Sequence, residues 1–325
     1  VGRTILVTGG AGFIGANLAP LLAGRGDRVR VLDDLSIGRR RYLSGVDHEL
    51  MVGSVGDPAM RERAVTGVDA VVHLAARAGI ADSVADPLGT LDANVTQTVG
   101  LLEAARRAGV RRFVFASSNA AAGEHDPPAD ETDLPHPVSP YGASKLAGEA
   151  YCQAYAATYG MASCGLRFSN AYGPSSLHKR SVVASWLRAA LTGEPVTIHG
   201  DGEQTRDFVF AADLAAAIAA ALDAPGERVA GELFCVGTGR ETTVNELAAT
   251  LGRVIDRPLR IEHGPAREGD IRRNVSGVGK AAAVLGYRAE RSLAEGLAET
   301  VRWFEAALAD PELAAVRPHV ASGSE

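Results

Sequence analysis

Tyr141 and Lys145 stand four residues apart in Tyr141-Gly142-Ala143-Ser144-Lys145, so on a helix they share one face. A free phenol has a pKa of about 10, too high for a general base at neutral pH. A nearby positive charge favours the phenolate and lowers that value, which makes a tyrosine beside an ammonium a candidate for taking a proton from an alcohol. Ser118 lies just past the apolar run Arg112–Ala116, where its hydroxyl would bond the same substrate oxygen. The pair alone is a common coincidence; its weight comes from the residues upstream.

Upstream, Thr8-Gly9-Gly10-Ala11-Gly12-Phe13-Ile14-Gly15 separates an apolar run from a helical pattern. Gly9 would permit a tight turn, Gly12 would let the backbone approach a pyrophosphate, and Gly15 would let helix pack on strand. The helix start supplies amide groups and the positive end of a dipole. Asp33 ends the next apolar run, 18 residues after Gly15, where a carboxylate would accept hydrogen bonds from an adenosine ribose. The combination predicts dinucleotide binding, and the Asp33 charge would repel a 2′-phosphate, favouring NAD over NADP. The basic run Arg39-Arg40-Arg41 reads as a solvated face. The ring of a bound NAD⁺ adds a second positive charge near Tyr141, and Lys145 would reach the nicotinamide ribose.

These residues need a frame that brings chain segments over 100 residues apart to one edge. Strand-like runs at Thr4–Thr8, Arg28–Leu32, Glu49–Val52, Ala70–Leu74 and Arg112–Ala116 alternate with helical patterns at Phe13–Ala23 and Leu88–Ala108. A helix over Tyr141–Tyr159 and a strand over Met161–Phe168 come next. The alternation predicts an α/β doubly wound parallel sheet, a Rossmann arrangement, over residues 1–167. Residues 168–325 read as a smaller C-terminal substrate-binding domain, with Asp207–Phe210 and Leu233–Val236 as buried strands returning to the first part. Helices are expected over Ala211–Ala224 and, with Leu293, Leu297, Val301 and Phe304 on one face, over Ser292–Leu308.

Composition narrows the function classes. The 325 residues are 46% hydrophobic and 22% charged, with a formal charge of −6, an ordinary globular balance rather than a disordered one. A net acidic chain lacks the footprint of a nucleic-acid or anionic-membrane binder, and no apolar run approaches the roughly 18 residues of a membrane span. Cys152, Cys164 and Cys235 are odd in number and widely spaced, which fits reduced thiols and a cytoplasmic location. The acidic and histidine residues of the 124–136 loop match no metal signature and read as solvated, so no metal is expected.

TGGAGFIG, VDAVVHLAA, FASSNAAAGE, PYGASKLAGE, RFSNAYGP, GDGEQTRDFVF and REGD succeed one another along nearly the whole chain. In this order they resemble the extended short-chain dehydrogenase/reductases, in particular the NAD-dependent nucleotide-sugar epimerase/dehydratase family. The resemblance implies that Gly9, Gly12, Phe13, Ile14, Gly15 and Asp33 hold NAD, that Leu74, Ala75 and Ala76 pass beside it, and that Asn94 supports it. It implies catalytic roles for Ser118, Tyr141 and Lys145, the latter two also touching the cofactor. Asn170 would contact the sugar diphosphate, Arg206 and Arg267 would clamp it, Asp270 would hold the nucleotide ribose, and His199 would pack on the nucleobase in place of the usual aromatic.

Family members that dehydrate carry an Asp-Glu pair after the hydroxyl residue, and decarboxylating ones a Glu two positions after it. Here Ser118 is succeeded by Asn119-Ala120, so the resemblance points to a 4-epimerase, of UDP-hexose type, working through a transient 4-keto sugar and tightly bound NAD. A uronic-acid 4-epimerase, another nucleotide-sugar oxidoreductase or dehydratase, and a dinucleotide sensor without chemistry are the alternatives. Ala122, where an aromatic is usual, would make the sugar pocket roomier; Ser54 and Gly277 are further departures. A homodimer is expected through the helices near 88–108 and 141–159, with Tyr151, Tyr155 and Tyr159 on one helical line. The polar loop Ser175–Ser181, with His178, Lys179 and Arg180, reads either as a contact or gate at the sugar diphosphate or as plain surface.

Overall fold

The computed structural model of the protein describes residues 2–266 and 271–316. Its strands, in chain order, are β1 (Thr4–Thr8), β2 (Arg28–Asp33), β3 (His48–Val52), β4 (Ala70–His73), β5 (Arg112–Ser118), β6 (Ala162–Phe168), β7 (Asn170–Tyr172), β8 (Val196–His199), β9 (Thr205–Arg206), β10 (Phe208–Phe210), β11 (Leu233–Val236), β12 (Thr242–Thr243) and β13 (Ile261–Gly264). Seven of them form one parallel sheet in the order β11-β6-β5-β4-β1-β2-β3. Every residue of β1 and β4 is buried, which is why these strands are continuous apolar runs rather than alternating ones.

The chain winds outward from β1 through β2 and β3, then returns to start the other half at β4. The crevice beyond the carboxyl ends of β1 and β4 is therefore the topological switch point, where open parallel sheets bind ligands. Leu233–Val236 takes the edge place beside β6, as expected. Phe208–Phe210 does not return to this sheet: it pairs with Asn170–Tyr172 in a separate parallel ladder. Its Phe208 and Phe210 pack into a cluster with Leu187, Ile198, Leu247 and Phe304, so the apolar run is buried without joining the larger sheet.

The helices of the first part are α1 (Phe13–Gly24), α2 (Pro58–Val65), α3 (Ile80–Ala85), α4 (Pro87–Leu91), α5 (Gln97–Arg107) and α6 (Pro140–Tyr159). The pattern over Leu88–Ala108 is not one helix. It begins as α4, passes through a π-helical turn at Asp92–Thr96 and continues as α5. Such one-turn insertions leave the hydrophobic period nearly intact and recur at functional sites. The α6 helix starts on Pro140 behind Ser139, whose hydroxyl caps the Gly142 amide, and ends on Gly160 at a φ of +67°, a left-handed stop that glycine adopts without strain.

The tyrosines of α6 do not all face outward. Tyr155 is buried, its hydroxyl donating to Glu103 at 3.4 Å, whereas Tyr151 and Tyr159 are exposed. No helix among the described residues is long and apolar enough to cross a membrane.

Candidate active site

The glycine turn between β1 and α1 is shaped by contact as much as by freedom. Gly9 has a φ of +66°, and a Cβ there would stand 2.8 Å from the Ala75 amide nitrogen, so only glycine lets the loop after β4 pass this close. A Cβ on Gly15 would collide with the backbone of Gly10. On Gly12, by contrast, it would meet only the Gly9 carbonyl at 3.2 Å, so this face of the turn is free for close approach by a ligand. Gly12 is also the N-cap of α1, with no side-chain cap and no acidic residue in the first turn. Phe13, Ile14 and Gly15 thus open a helix whose positive end no side chain neutralises.

Asp33 sits at the end of β2 and is buried. One carboxylate oxygen accepts from the Ala11 amide at 2.9 Å and the other from the Leu35 amide at 2.8 Å. Burial pushes its pKa up while those two amides oppose the shift. The residue orders the turn around it, a task the sequence did not suggest, and each oxygen keeps acceptor capacity for a ribose. Arg39 of the basic run donates to the carbonyls of Ile37 and Gly38, and Arg41 pairs with Asp310; two members of this run hold the protein's own loops.

Leu74, Ala75 and Ala76 leave β4 beside this turn, and a buried relay fixes them. The Thr98 hydroxyl donates to the Asn94 carbonyl at 2.7 Å, so it accepts from His73 Nε2 at 2.9 Å. His73 Nδ1 then accepts from the Thr8 hydroxyl at 2.7 Å, which in turn accepts from the Ala75 amide at 3.4 Å. Burial, with a smaller contribution from Lys145, pulls the His73 pKa down to about 3, so the imidazole is neutral. Asn94, in the π-helical turn, accepts from the Arg77 amide at 2.8 Å, donates to the Arg77 carbonyl at 3.0 Å, and donates to Ser144 Oγ at 3.0 Å. Ser144 donates in turn to the Tyr141 carbonyl at 2.7 Å. Asn94 therefore fastens the loop after β4 to the helix that carries Tyr141, and the inserted turn is the element that brings it there.

Tyr141, Ser118 and Lys145 converge from α6 and the end of β5. The electrostatics differ from the expectation of an acidified phenol. Burial pushes the Tyr141 pKa up, and a hydrogen bond with Ser118 only partly opposes it. Lys145 Nζ lies 5.8 Å from the Tyr141 ring centroid and donates to the Ala116 carbonyl at 2.9 Å. Its own pKa is drawn down to about 8 by burial, with Glu149 pulling the other way. The protein's groups by themselves hold Tyr141 as the neutral phenol.

Beneath them lies an ion pair that no local spacing announced. Glu149, one turn beyond Lys145, accepts from Arg167 Nε and Nη2, both at 2.8 Å, and from the Ser117 hydroxyl at 2.5 Å. Both side chains are 1% exposed, and Arg167 Nη1 has no hydrogen-bond partner among the described residues. The pair ties α6 to β6 and to the residue preceding Ser118. A second polar hub centres on the fully buried Asp207, which accepts from Thr238 Oγ1 at 2.6 Å and the Gly239 amide at 3.1 Å. Ser169 connects it to Ser276, and Asn119 donates to Ser276 Oγ at 2.8 Å.

Of the residues expected to meet the substrate, Asn170 is exposed on β7, its backbone N–H donating to the Asp207 carbonyl at 3.0 Å. Arg206 donates to the carbonyls of Thr205 and Ile271 at 2.7 and 2.8 Å. His199 Nδ1 lies 3.2 Å from the Pro265 carbonyl. Arg267 and Asp270 lie outside the described residues.

The description "NAD dependent epimerase/dehydratase family" belongs to a family model that matches residues 5–237. The UDP-glucose 4-epimerase of Mycolicibacterium smegmatis is 38% identical over 314 residues, covering 92% of this chain and 97% of that protein. A UDP-N-acetyl-alpha-D-glucosaminuronate decarboxylase of Bacillus cytotoxicus is 31% identical over 323 residues, covering 93% and 98%. Among solved structures, the UDP-glucose 4-epimerase of Thermotoga maritima with UDP-glucose has a TM-score of 0.88 at 37% identity, covering 94% of this chain and 99% of that one.

Proposed function

The chain belongs to the NAD-dependent epimerase/dehydratase family, and we propose that within it the protein is a 4-epimerase of a nucleotide sugar, of UDP-hexose type. The observation that carries this reading is the pair of residues after Ser118. Asn119 and Ala120 stand where the dehydrating and decarboxylating branches carry carboxylates, and the Asn119 amide is engaged with Ser276. Inversion at C4 needs one base and a hydride carrier, and no carboxylate there. The similarity to two UDP-glucose 4-epimerases supports the same reading.

The uncapped start of α1 and the open face of Gly12 fit the pyrophosphate of NAD, and Asp33 fits its adenosine ribose. Held there, NAD would supply the acceptor for the C4 hydride and the donor that gives it back to the opposite face of the sugar. Tyr141 takes the proton of the 4-hydroxyl and later gives it back, with Ser118 bonded to the same oxygen. Burial holds the phenol protonated on its own, so the proton transfer depends on positive charge near the ring. Lys145 is this chain's own source of it, with Glu149 partly offsetting the burial that draws its pKa down to about 8. Arg206, with Arg267 and Asp270, anchors the nucleotide diphosphate while the keto sugar turns. A bidentate guanidinium suits this task because it grips phosphate without reading the base.

A uronic acid is the second substrate reading. It is favoured by the small, buried Ala122 at the end of the short turn that Ser118 caps, and by the similarity to a uronate decarboxylase. Incubation with UDP-, dTDP-, GDP- and ADP-sugars, read by NMR, tests the function. Inversion at C4 of one of them supports it; loss of water or carbon dioxide overturns it. We also propose a homodimer. Ile80 and Val84 of α3, Leu88 and Leu91 of α4, and Tyr151 and Tyr159 of α6 are exposed on helices that pack together, an apolar face that a second copy would cover.

A further inference from the structure

The loop after β7 places a lysine where no described residue offers it a counter-ion. Asn17 of α1 donates to the Phe13 carbonyl at 2.8 Å and to the Pro174 carbonyl at 3.1 Å, pinning this loop to the first turn of the cradle helix. Ser176 closes the loop on the Gly173 carbonyl at 2.6 Å, and the Lys179 amide bonds the Ser176 carbonyl at 3.0 Å. The neighbouring Arg180 is committed to Asp82 of α3 at 2.6 Å. Lys179 instead turns inward. Its ammonium lies 4.4 Å from the centroid of the Phe13 ring and 3.5 Å from the carbonyl of Ala171, the residue after Asn170. Lys179 is half-buried, no ion pair to it occurs among the described residues, and burial lowers its pKa to about 8.

Two physical arguments say that this arrangement is incomplete. A cation partly withdrawn from water is costly unless an anion compensates it. A cation over the first residue of a helix also faces the positive end of the helix dipole, the unfavourable sign. An oxyanion between the ammonium and the start of α1 reverses both penalties at once, because each then becomes an attraction.

We infer that Lys179 is a ligand-binding residue which holds an oxyanion of a bound nucleotide or sugar between the loop after β7 and the first turn of α1. The inference rests on the nucleotide-sugar reading for its choice of ligands. The oxyanion has three sources within reach of that reading: the pyrophosphate of the dinucleotide, the diphosphate of the sugar nucleotide, and the carboxylate of a uronic acid.

The test compares wild type with Lys179→Met, which keeps the aliphatic stem on Phe13 and removes the charge, and Lys179→Arg, which restores a cation. Titration calorimetry on protein stripped of nucleotide measures NAD, UDP, UDP-glucose and UDP-glucuronate separately. The expected result is a loss of tenfold or more for the ligand that brings the oxyanion, with the arginine variant recovering most of it. Weakened NAD assigns the dinucleotide; weakened UDP assigns the sugar nucleotide; weakened UDP-glucuronate alone assigns the carboxylate. Binding of all four within twofold of wild type, in a methionine variant with an unchanged melting temperature, overturns the inference. A methionine variant that loses thermal stability while Lys179→Arg binds no better also overturns it, since Lys179 is then a packing residue. None of these outcomes depends on turnover, so a failure of the 4-epimerase reading would be seen separately.

Discussion

Glu149→Gln isolates the buried ion pair beneath the proposed active site. The carboxylate accepts two bonds from Arg167 and one from Ser117, and both charged side chains are 1% exposed. The amide cannot accept at both positions, so one of its N–H groups is turned toward a donor while the guanidinium loses its counter-charge. Removing one partner of such a pair costs about 3–5 kcal/mol, because the remaining charge is left buried. Urea unfolding monitored by tryptophan fluorescence, with both proteins at the same saturating NAD concentration, should show that loss as a lower midpoint at an unchanged slope. The double variant Glu149→Leu/Arg167→Met removes both charges and replaces them with apolar groups. It should lie about 1–2 kcal/mol from wild type, since that exchange is often near neutral, while the Ser117 hydroxyl loses an acceptor and Lys145 a nearby anion. A cost below about 1 kcal/mol for Glu149→Gln, or a double variant no more stable than the single one, would refute the reasoning.

Tyr141→Phe should lower turnover by about 10²–10⁴-fold while the amount of NAD bound per chain, measured after denaturation, stays within twofold of wild type. His73 has a folded pKa of about 3 against about 6.5 unfolded, so the unfolded chain binds more protons between those values. Its contribution to stability is complete above about pH 6.5 and is lost as pH falls, by about 1.4 kcal/mol per pH unit; unfolding of His73→Asn between pH 6 and 5 should show a slope smaller by that amount. Leu88→Glu, placed at the most exposed of the apolar helix residues, should turn a dimer into a monomer by light scattering at micromolar concentration, and a wild-type monomer there would end the dimer proposal. Arg206→Lys should weaken UDP binding by calorimetry at least fivefold, because a point charge replaces a fork.

The features legible in the sequence and those it concealed divide along physical lines. The central strands β1 and β4 were legible because burial on both faces leaves continuous apolar runs, and the glycine turn because only glycine tolerates its contacts. Phe208–Phe210 misled because three apolar residues look alike whichever ladder buries them. The π-helical turn around Asn94 was invisible, since one extra residue hardly alters a helical period. Glu149 and Arg167 are 18 residues apart, on different elements, and only the packing of α6 on β6 joins them. A signal was available for His73: a histidine inside an apolar parallel strand must find hydrogen-bond partners, and Thr8 and Thr98 supply them. The tyrosine–lysine spacing located the residues but not the balance between burial and charge, which set the direction of the Tyr141 shift.

In the proposed reaction the C4 hydrogen leaves the sugar as hydride and returns to the same carbon on its other face. Incubating the protein with UDP-galactose deuterated at C4, in ordinary water, tests this most directly. The expected product is UDP-glucose that retains the deuterium at C4, with no net change in NAD. Solvent hydrogen at C4 of the product, stoichiometric consumption of NAD, or release of water or carbon dioxide from the sugar would contradict it.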